Sequence, residues 1–154
     1  MRYPYTRIDE TLPTRPYVNF FLRVGFATTD TLFGLVDSGA DYSILPWEFA
    51  RTLKINIHEG RVWNFRGTTG KLQIAYIHRV EMCIWDPDIE KLAFRFDTEV
   101  SFCEDFKFHG GVLLGQIGFL SAFKAVFNQP ENYFDLEPHD PGISAQPPFN
   151  FGQR

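Results

Sequence analysis

Leu35-Val36-Asp37-Ser38-Gly39-Ala40-Asp41, with Ile44-Leu45-Pro46 close behind, is the stretch on which the fold turns. An apolar strand runs into an acidic residue, and a hydroxyl residue and a glycine follow at once. A carboxylate is thus delivered at a strand end on a tight turn, where the glycine lets backbone or substrate approach closely. Composition alone yields Asp, then Ser or Thr, then Gly, in roughly one chain of this length in fifteen or twenty. Taken by itself the tripeptide reads as an Asx-type turn. A second stretch supplies context: Gly111-Val112-Leu113-Leu114-Gly115-Gln116-Ile117-Gly118-Phe119-Leu120 is a short apolar run, a glycine and then a predicted helix. Neither it nor any other stretch holds the Gly-Lys-Ser/Thr that cradles phosphate.

Outward from these two stretches the chain reads as a β protein. Residues 17–26, 31–36, 61–65, 72–77, 80–85, 92–102 and 133–136 are rich in β-branched and aromatic residues, and turn residues separate them. Short helices are predicted over 46–54, where Pro46 leads and Phe49 and Leu53 stand four apart, and over 116–124, where Ile117, Leu120 and Phe123 make a helical stripe. Residues 61–76 read as a hairpin closed by a four-residue turn, Gly67-Thr68-Thr69-Gly70. That turn would pair Phe65 with Leu72 and Trp63 with Ile74 on one face and leave Asn64 and Gln73 on the other. Such a two-faced ribbon suits projection over something, although an ordinary surface hairpin fits the segment equally well.

Three prolines lie in residues 1–16, five from Pro130 onward, and only Pro46 and Pro87 between. The expected organisation is an N-terminal extension at 1–16, a folded domain at 17–136 and a Pro-rich tail at 137–154. The 154 residues, with 44% hydrophobic and 17% aromatic content, suit one globular domain that folds without a disulfide framework or structural metal. Cys83 and Cys103 form no CxxC pair and read as buried small residues, so a reducing, cytoplasmic setting is expected. The first ten residues lack the apolar core of a signal peptide, and no apolar run approaches the roughly 20 residues of a membrane span. A net charge of -4 with scattered Lys and Arg argues against a nucleic-acid backbone as partner. His58, His78, His109 and His139 have no spacing that converges on a metal, so no metal or other cofactor is expected. The GxxG of Gly67–Gly70 would suit an RNA clamp only between helices, and its flanks alternate as strands.

In order, the Asp-Ser-Gly-Ala-Asp turn, the hairpin and the Leu-Leu-Gly corner resemble the retropepsin-like aspartic proteases, the single-lobe, retroviral-type relatives of pepsin. The resemblance covers about residues 17–136 and is strongest over 35–46, then over 112–120. It implies an all-β, closed-barrel lobe with a flap hairpin and one or two short helices. Carried over by position, Asp37 matches the catalytic aspartate and Ser38 the hydroxyl that bonds across to a partner subunit. Gly39 matches the glycine whose carbonyl meets substrate, and Asp41 the acidic residue that binds substrate backbone. Ala40 lies between them, and Trp63, Phe65, Gly67, Thr68, Thr69 and Gly70 fall in the flap as substrate-binding candidates. One departure stands out: retroviral members commonly carry an arginine after the Leu-Gly, paired with the carboxylate matching Asp41, and here the residue is Gln116.

The chemistry can be argued from the residues. Hydrolysing a peptide with neither metal nor nucleophilic side chain needs an acid and a base together, and two carboxylates sharing a proton supply both, because like charges about 3 Å apart cannot both ionise. Aspartic proteases are the established case of such a pair. This chain offers one suitable turn. The nearest second match, Phe96-Asp97-Thr98-Glu99, puts glutamate where glycine is needed and lies in a strand-like run. The second carboxylate must then come from a second copy about a two-fold axis. The expectation is a homodimeric aspartic endopeptidase acting on peptide or protein. The alternative is a retropepsin-like dimerisation or peptide-binding module that cleaves little. An unrelated ligand-binding barrel would leave the Asp-Ser-Gly turn unexplained.

Overall fold

The computed structural model describes residues 1–67, 69–107 and 111–143. The chain runs β1 (Arg2–Pro4), β2 (Tyr17–Val24), β3 (Ala27–Thr28), β4 (Leu32–Val36), β5 (Ile44–Pro46), α1 (Glu48–Thr52), β6 (Arg61–Arg66), β7 (Leu72–Trp85), β8 (Leu92–Cys103), β9 (Val112–Leu114), β10 (Phe123–Asn128) and β11 (Tyr133–Pro138). Single 3-10 turns lie at Ile57–Glu59, Leu120–Ala122 and Pro141–Ile143. An eight-stranded sheet in the order β3-β2-β4-β9-β5-β8-β7-β6 curls until β2 pairs β7, which closes a six-strand barrel of β2, β4, β9, β5, β8 and β7. This is the all-β, closed-barrel lobe that the sequence implied.

Period-two alternation fills the barrel. Val18, Phe20 and Leu22 of β2 are fully buried, while Asn19 between them is exposed. On β4, Leu32, Gly34 and Val36 point inward, and Gly34 is glycine because a Cβ there would lie 2.5 Å from Leu114 Cδ1 and 2.8 Å from Phe20 Cε1. Phe20, Phe102, Phe119 and Phe134 are fully buried, each contributing about 1.5–3 kcal/mol of hydrophobic stabilisation. The closing seam carries an ion triad: Glu81 of β7 accepts Arg23 Nε from β2 at 2.8 Å and Arg95 Nε from β8 at 2.8 Å. Burial alone would raise the Glu81 carboxyl, but the hydrogen bonds from Arg95 and Arg23 outweigh it and hold it below its ordinary value. Cys83 and Cys103 are buried and unpaired, and burial, followed by the neighbouring Glu81 charge, pushes the Cys83 thiol up to about 12.

Beside the barrel, β1, β11 and β10 form a three-stranded sheet. Residues 1–16 therefore contribute structure: Tyr3 pairs with Phe134 and stacks on it at 5.4 Å, and its hydroxyl donates to the Trp85 carbonyl at 3.2 Å. Tyr5 and Phe127 flank the Phe134 ring at 6.0 and 5.9 Å. The first residues of the predicted tail continue β11 to Pro138, whereas 144–154 lie outside the described residues.

Three local expectations are corrected. The helix predicted over 116–124 is a single 3-10 turn at Leu120–Ala122 followed by strand β10, which the sequence did not suggest. Gln116 and Ile117 donate their backbone N–H groups to the Ala40 and Asp41 carbonyls, and Gly118 sits at φ +100, so the backbone there cannot wind into a helix. The other helix is shorter than 46–54, because Pro46 closes β5 opposite Cys103 and Lys54 turns out at φ 58. Finally, the hairpin register is shifted by one. Phe65 pairs with Gln73 and Trp63 with Ala75, and the ladder ends at Arg66 opposite Leu72. The slip puts Trp63, Phe65, Gln73 and Ala75 on the inner face and turns Leu72 and Ile74 outward with Val62, where all three are exposed.

Candidate active site

Asp37 stands where two parallel strands end together. β4 pairs β9 in parallel with Val36 opposite Leu114, and the Asp37 N–H then donates to the Leu114 carbonyl at 2.9 Å. Ala40 N–H returns to the Asp37 carbonyl at 3.2 Å, and Gly39 N–H donates to Asp37 Oδ1 at 2.8 Å, so the Asx-type turn is formed. That is the one hydrogen bond of the Asp37 side chain among the described residues. Asp37 is half-buried and Ser38 and Gly39 are exposed, which leaves the turn presented outward on a tied backbone.

The tie comes from the Leu-Leu-Gly corner. Gln116 N–H donates to the Ala40 carbonyl and Ile117 N–H to the Asp41 carbonyl, both at 2.8 Å, and Ser43 N–H bonds the Ile117 carbonyl at 2.9 Å. Below them, Gly115 N–H donates to Ser43 Oγ at 3.1 Å, and the Ser43 carbonyl accepts both Ser101 N–H and Ser101 Oγ–H, the latter at 2.8 Å. Both serines are fully buried, so their hydroxyls serve the scaffold beneath the turn. The Gln116 side chain adds a clip, its Nε2 donating to the Ser38 carbonyl at 2.7 Å.

The β6–β7 hairpin meets the residue that follows Asp41. Trp63 and Phe65 stack with ring centroids 4.6 Å apart, and the Trp63 ring meets that of Tyr42 at 4.7 Å. Trp63 and Phe65 pack with Phe106 against a small cluster of Ile44, Ala75 and Cys103. The hairpin base is thereby joined to the segment that follows Asp41. Arg61 donates to Glu99 Oε2 at 2.9 Å, and the neighbouring Tyr42 and Glu99 raise its guanidinium above the usual arginine range. The structure thus brings Asp37, Ser38, Gly39, Ala40 and Asp41 onto one turn, and Trp63, stacked on Phe65, meets Tyr42 just after it. Gly67, Thr69 and Gly70 form the hairpin tip, where Gly70 N–H bonds the Gly67 carbonyl at 2.9 Å and Arg66 holds the Gly70 carbonyl at 2.9 Å. Their described hydrogen bonds stay within the hairpin, and Thr68 lies outside the described residues.

Sequence reasoning overlooked Tyr42, Ser43 and the Gln116 clip. Tyr42 and Ser43 sit in the decisive stretch itself, and a polar residue recurring just after a tight turn was the available signal. The second Asp-Thr match is excluded by geometry: Asp97 is paired with Glu81 in the middle of β8, far from any turn.

A closed six-strand β-barrel that presents an Asp-Ser-Gly turn at paired strand ends is a retropepsin-like lobe, and the fold is retropepsin-like. Among solved structures, a retropepsin-like aspartic protease from Rickettsia conorii superposes with a TM-score of 0.54 at 16% identity, over 87% of this chain and 97% of that one. The EIAV protease, solved with the inhibitor HBY-793, is also similar, with a TM-score of 0.40 at 19% identity over 71% of this chain and 88% of that one. No family model matches the chain, and no curated protein matches it in sequence.

Proposed function

We propose that the protein is a homodimeric aspartic endopeptidase in which Asp37 and Asp37 of the partner subunit form the catalytic pair. The carrying observation is Asp37 itself: a half-buried carboxylate with one oxygen held by Gly39 N–H, on a backbone fixed by Leu114 and Gln116. The chain supplies one such carboxylate, so the site is completed by a second copy. One member of the pair, ionised, takes a proton from the attacking water. The other, protonated, donates to the substrate carbonyl oxygen, and the two exchange roles as the amine leaves. Any pH profile then belongs to the pair and not to a single residue. In this reading the exposed Ser38 hydroxyl bonds across the two-fold axis, and the Gly39 carbonyl meets substrate.

The β6–β7 hairpin serves as the flap, closing over an extended peptide that adds to the site as a strand. Trp63 and Phe65 on its inner face give apolar subsites. The second reading, a peptide-binding module of low activity, draws on the neutral Gln116 amide in the place where an ion pair would brace the turn. A diverse peptide pool, incubated with wild type and Asp37→Asn while both are sized in solution, separates the two. The endopeptidase loses at least about a hundredfold in rate on that substitution and stays dimeric. A pool left uncut by wild type, or cut equally by both proteins, rules it out.

A further inference from the structure

We propose that Gln116 is a positioning residue for Asp37, acting through the Ser38–Gly39 peptide unit; this rests on the endopeptidase reading above. Gln116 Nε2 donates to the Ser38 carbonyl at 2.7 Å, and Gly39 N–H donates to Asp37 Oδ1 at 2.8 Å. That carbonyl and that N–H belong to one peptide group. The group is trans, so its two ends point to opposite sides, with the Gln116 amide on one and the Asp37 carboxylate on the other.

A donor on a peptide oxygen draws electron density toward that oxygen, which deepens the C–N double-bond character and leaves the N–H more polar. Hydrogen bonds chained in this way strengthen one another by about 10–30% each. The bond strengthened here is the one hydrogen bond that the Asp37 side chain makes among the described residues. With it firm, Oδ1 stays against the turn and the plane of the carboxylate is fixed. Oδ2 is then left for the attacking water and the shared proton, and a carboxylate that does not swivel meets them in one geometry.

The other carbonyls of the turn show why this control sits in a side chain. Those of Asp37, Ala40 and Asp41 accept the backbone N–H groups of Ala40, Gln116 and Ile117 at 3.2, 2.8 and 2.8 Å. Such donors are present whatever the side chains are. The Ser38 carbonyl is served by a side chain instead. Gln116 reaches it because its own N–H is pinned to Ala40, which roots the side chain beside the turn. Gln116 therefore holds the turn at two points, and substitution removes the hold on Ser38 while the hold on Ala40 stays. Gln116 and Ser38 are exposed, so water is the competing donor, and water brings no root of its own.

The test compares full-length wild type with Gln116→Met, which keeps the side chain's length without its donor, and with Gln116→Lys, which keeps a donor of similar reach. Each protein carries isotope-labelled glycine so that the Gly39 amide proton can be followed by NMR, and kcat and KM are measured on a peptide that wild type cleaves. In Gln116→Met the Gly39 proton is expected to move upfield, as a weakened hydrogen bond requires. There kcat should fall about threefold while KM changes by less than about twofold. Gln116→Lys is the rescue: kcat should return to within about twofold of wild type, with the Gly39 proton downfield of its place in Gln116→Met. A side chain that only fills space would leave Gln116→Met like wild type. An unmoved Gly39 proton or an unchanged kcat in Gln116→Met, or a Gln116→Lys as impaired as Gln116→Met, overturns the positioning role and leaves the endopeptidase reading standing. No cleavage of any peptide by wild type overturns the endopeptidase reading. The Gly39 proton then decides alone: an upfield move in Gln116→Met keeps the hold of Gln116 on Asp37, and an unmoved proton overturns that too.

Discussion

Gly115→Ala should loosen the turn by pressing on its backbone from the neighbouring corner. A Cβ at Gly115 would lie 2.5 Å from the Tyr42 carbonyl oxygen and 2.6 Å from that of Ala40, against ordinary C···O contacts of about 3.3 Å or more. Both obstacles are backbone, so no side chain can rotate aside, and the end of β9 must retreat by roughly 0.8 Å. At that displacement the Gln116 N–Ala40 O and Ile117 N–Asp41 O bonds, both 2.8 Å, pass beyond hydrogen-bond range. Overpacking costs about 1–3 kcal/mol and each lost bond about 1 kcal/mol, so the substitution should destabilise by about 3–5 kcal/mol. For a domain of this size that lowers Tm by about 6–20 °C, read by calorimetry or circular dichroism. Gly67→Ala is the control for stability, since a Cβ there meets only Gln73 Oε1 at 4.0 Å. If Gly115→Ala melts within about 2 °C of wild type, the corner does not bind the turn as tightly as these contacts require.

Two further outcomes bear on the scaffold. Phe134→Ala removes the ring that Tyr3, Tyr5 and Phe127 surround; it should cost about 3–5 kcal/mol and speed proteolysis near the N-terminus, and an unchanged urea midpoint would contradict it. Glu81 has its folded-state pKa below its ordinary value of 4.5, so its pairing with Arg23 and Arg95 stabilises fully above about pH 5 and is lost as pH falls through the depressed value. Glu81→Gln should therefore be less stable than wild type by about 1–2 kcal/mol at pH 7, allowing for the partial exposure of Arg23, and the gap should close toward pH 2–3 in urea titrations. A gap independent of pH would show that the triad does not act through charge.

Strand content was legible because alternation and β-branched residues act locally. Val18, Phe20 and Leu22 announce the inner face of β2 without help from any neighbour. The Asp-Ser-Gly turn was legible for a related reason: Asp37 and Gly39 are three-residue chemistry, and their Asx bond forms within the segment. The predicted 116–124 helix failed because its stripe is a local signal overruled by distant acceptors, the Ala40 and Asp41 carbonyls. Phe119, off that stripe, reaches the core beside Phe123, while Ile117 on it is exposed. The one-residue slip of the hairpin has the same origin. Both registers satisfy the local pattern, and only the cluster of Ile44, Ala75 and Cys103 selects the one that seats Trp63 and Phe65.

The amino-acid sequence by itself determined an all-β chain, a carboxylate on an Asp-Ser-Gly turn, and one such turn per chain, since each depends on neighbours a few residues away. Tertiary structure decided what surrounds that carboxylate. Closure of β2 onto β7, the Gln116 clip on Ser38 and the pairing of Arg61 with Glu99 all join residues far apart in the chain. Such contacts exist only when loop-closure entropy has been overcome by a packed core, so no local pattern of residues can announce them.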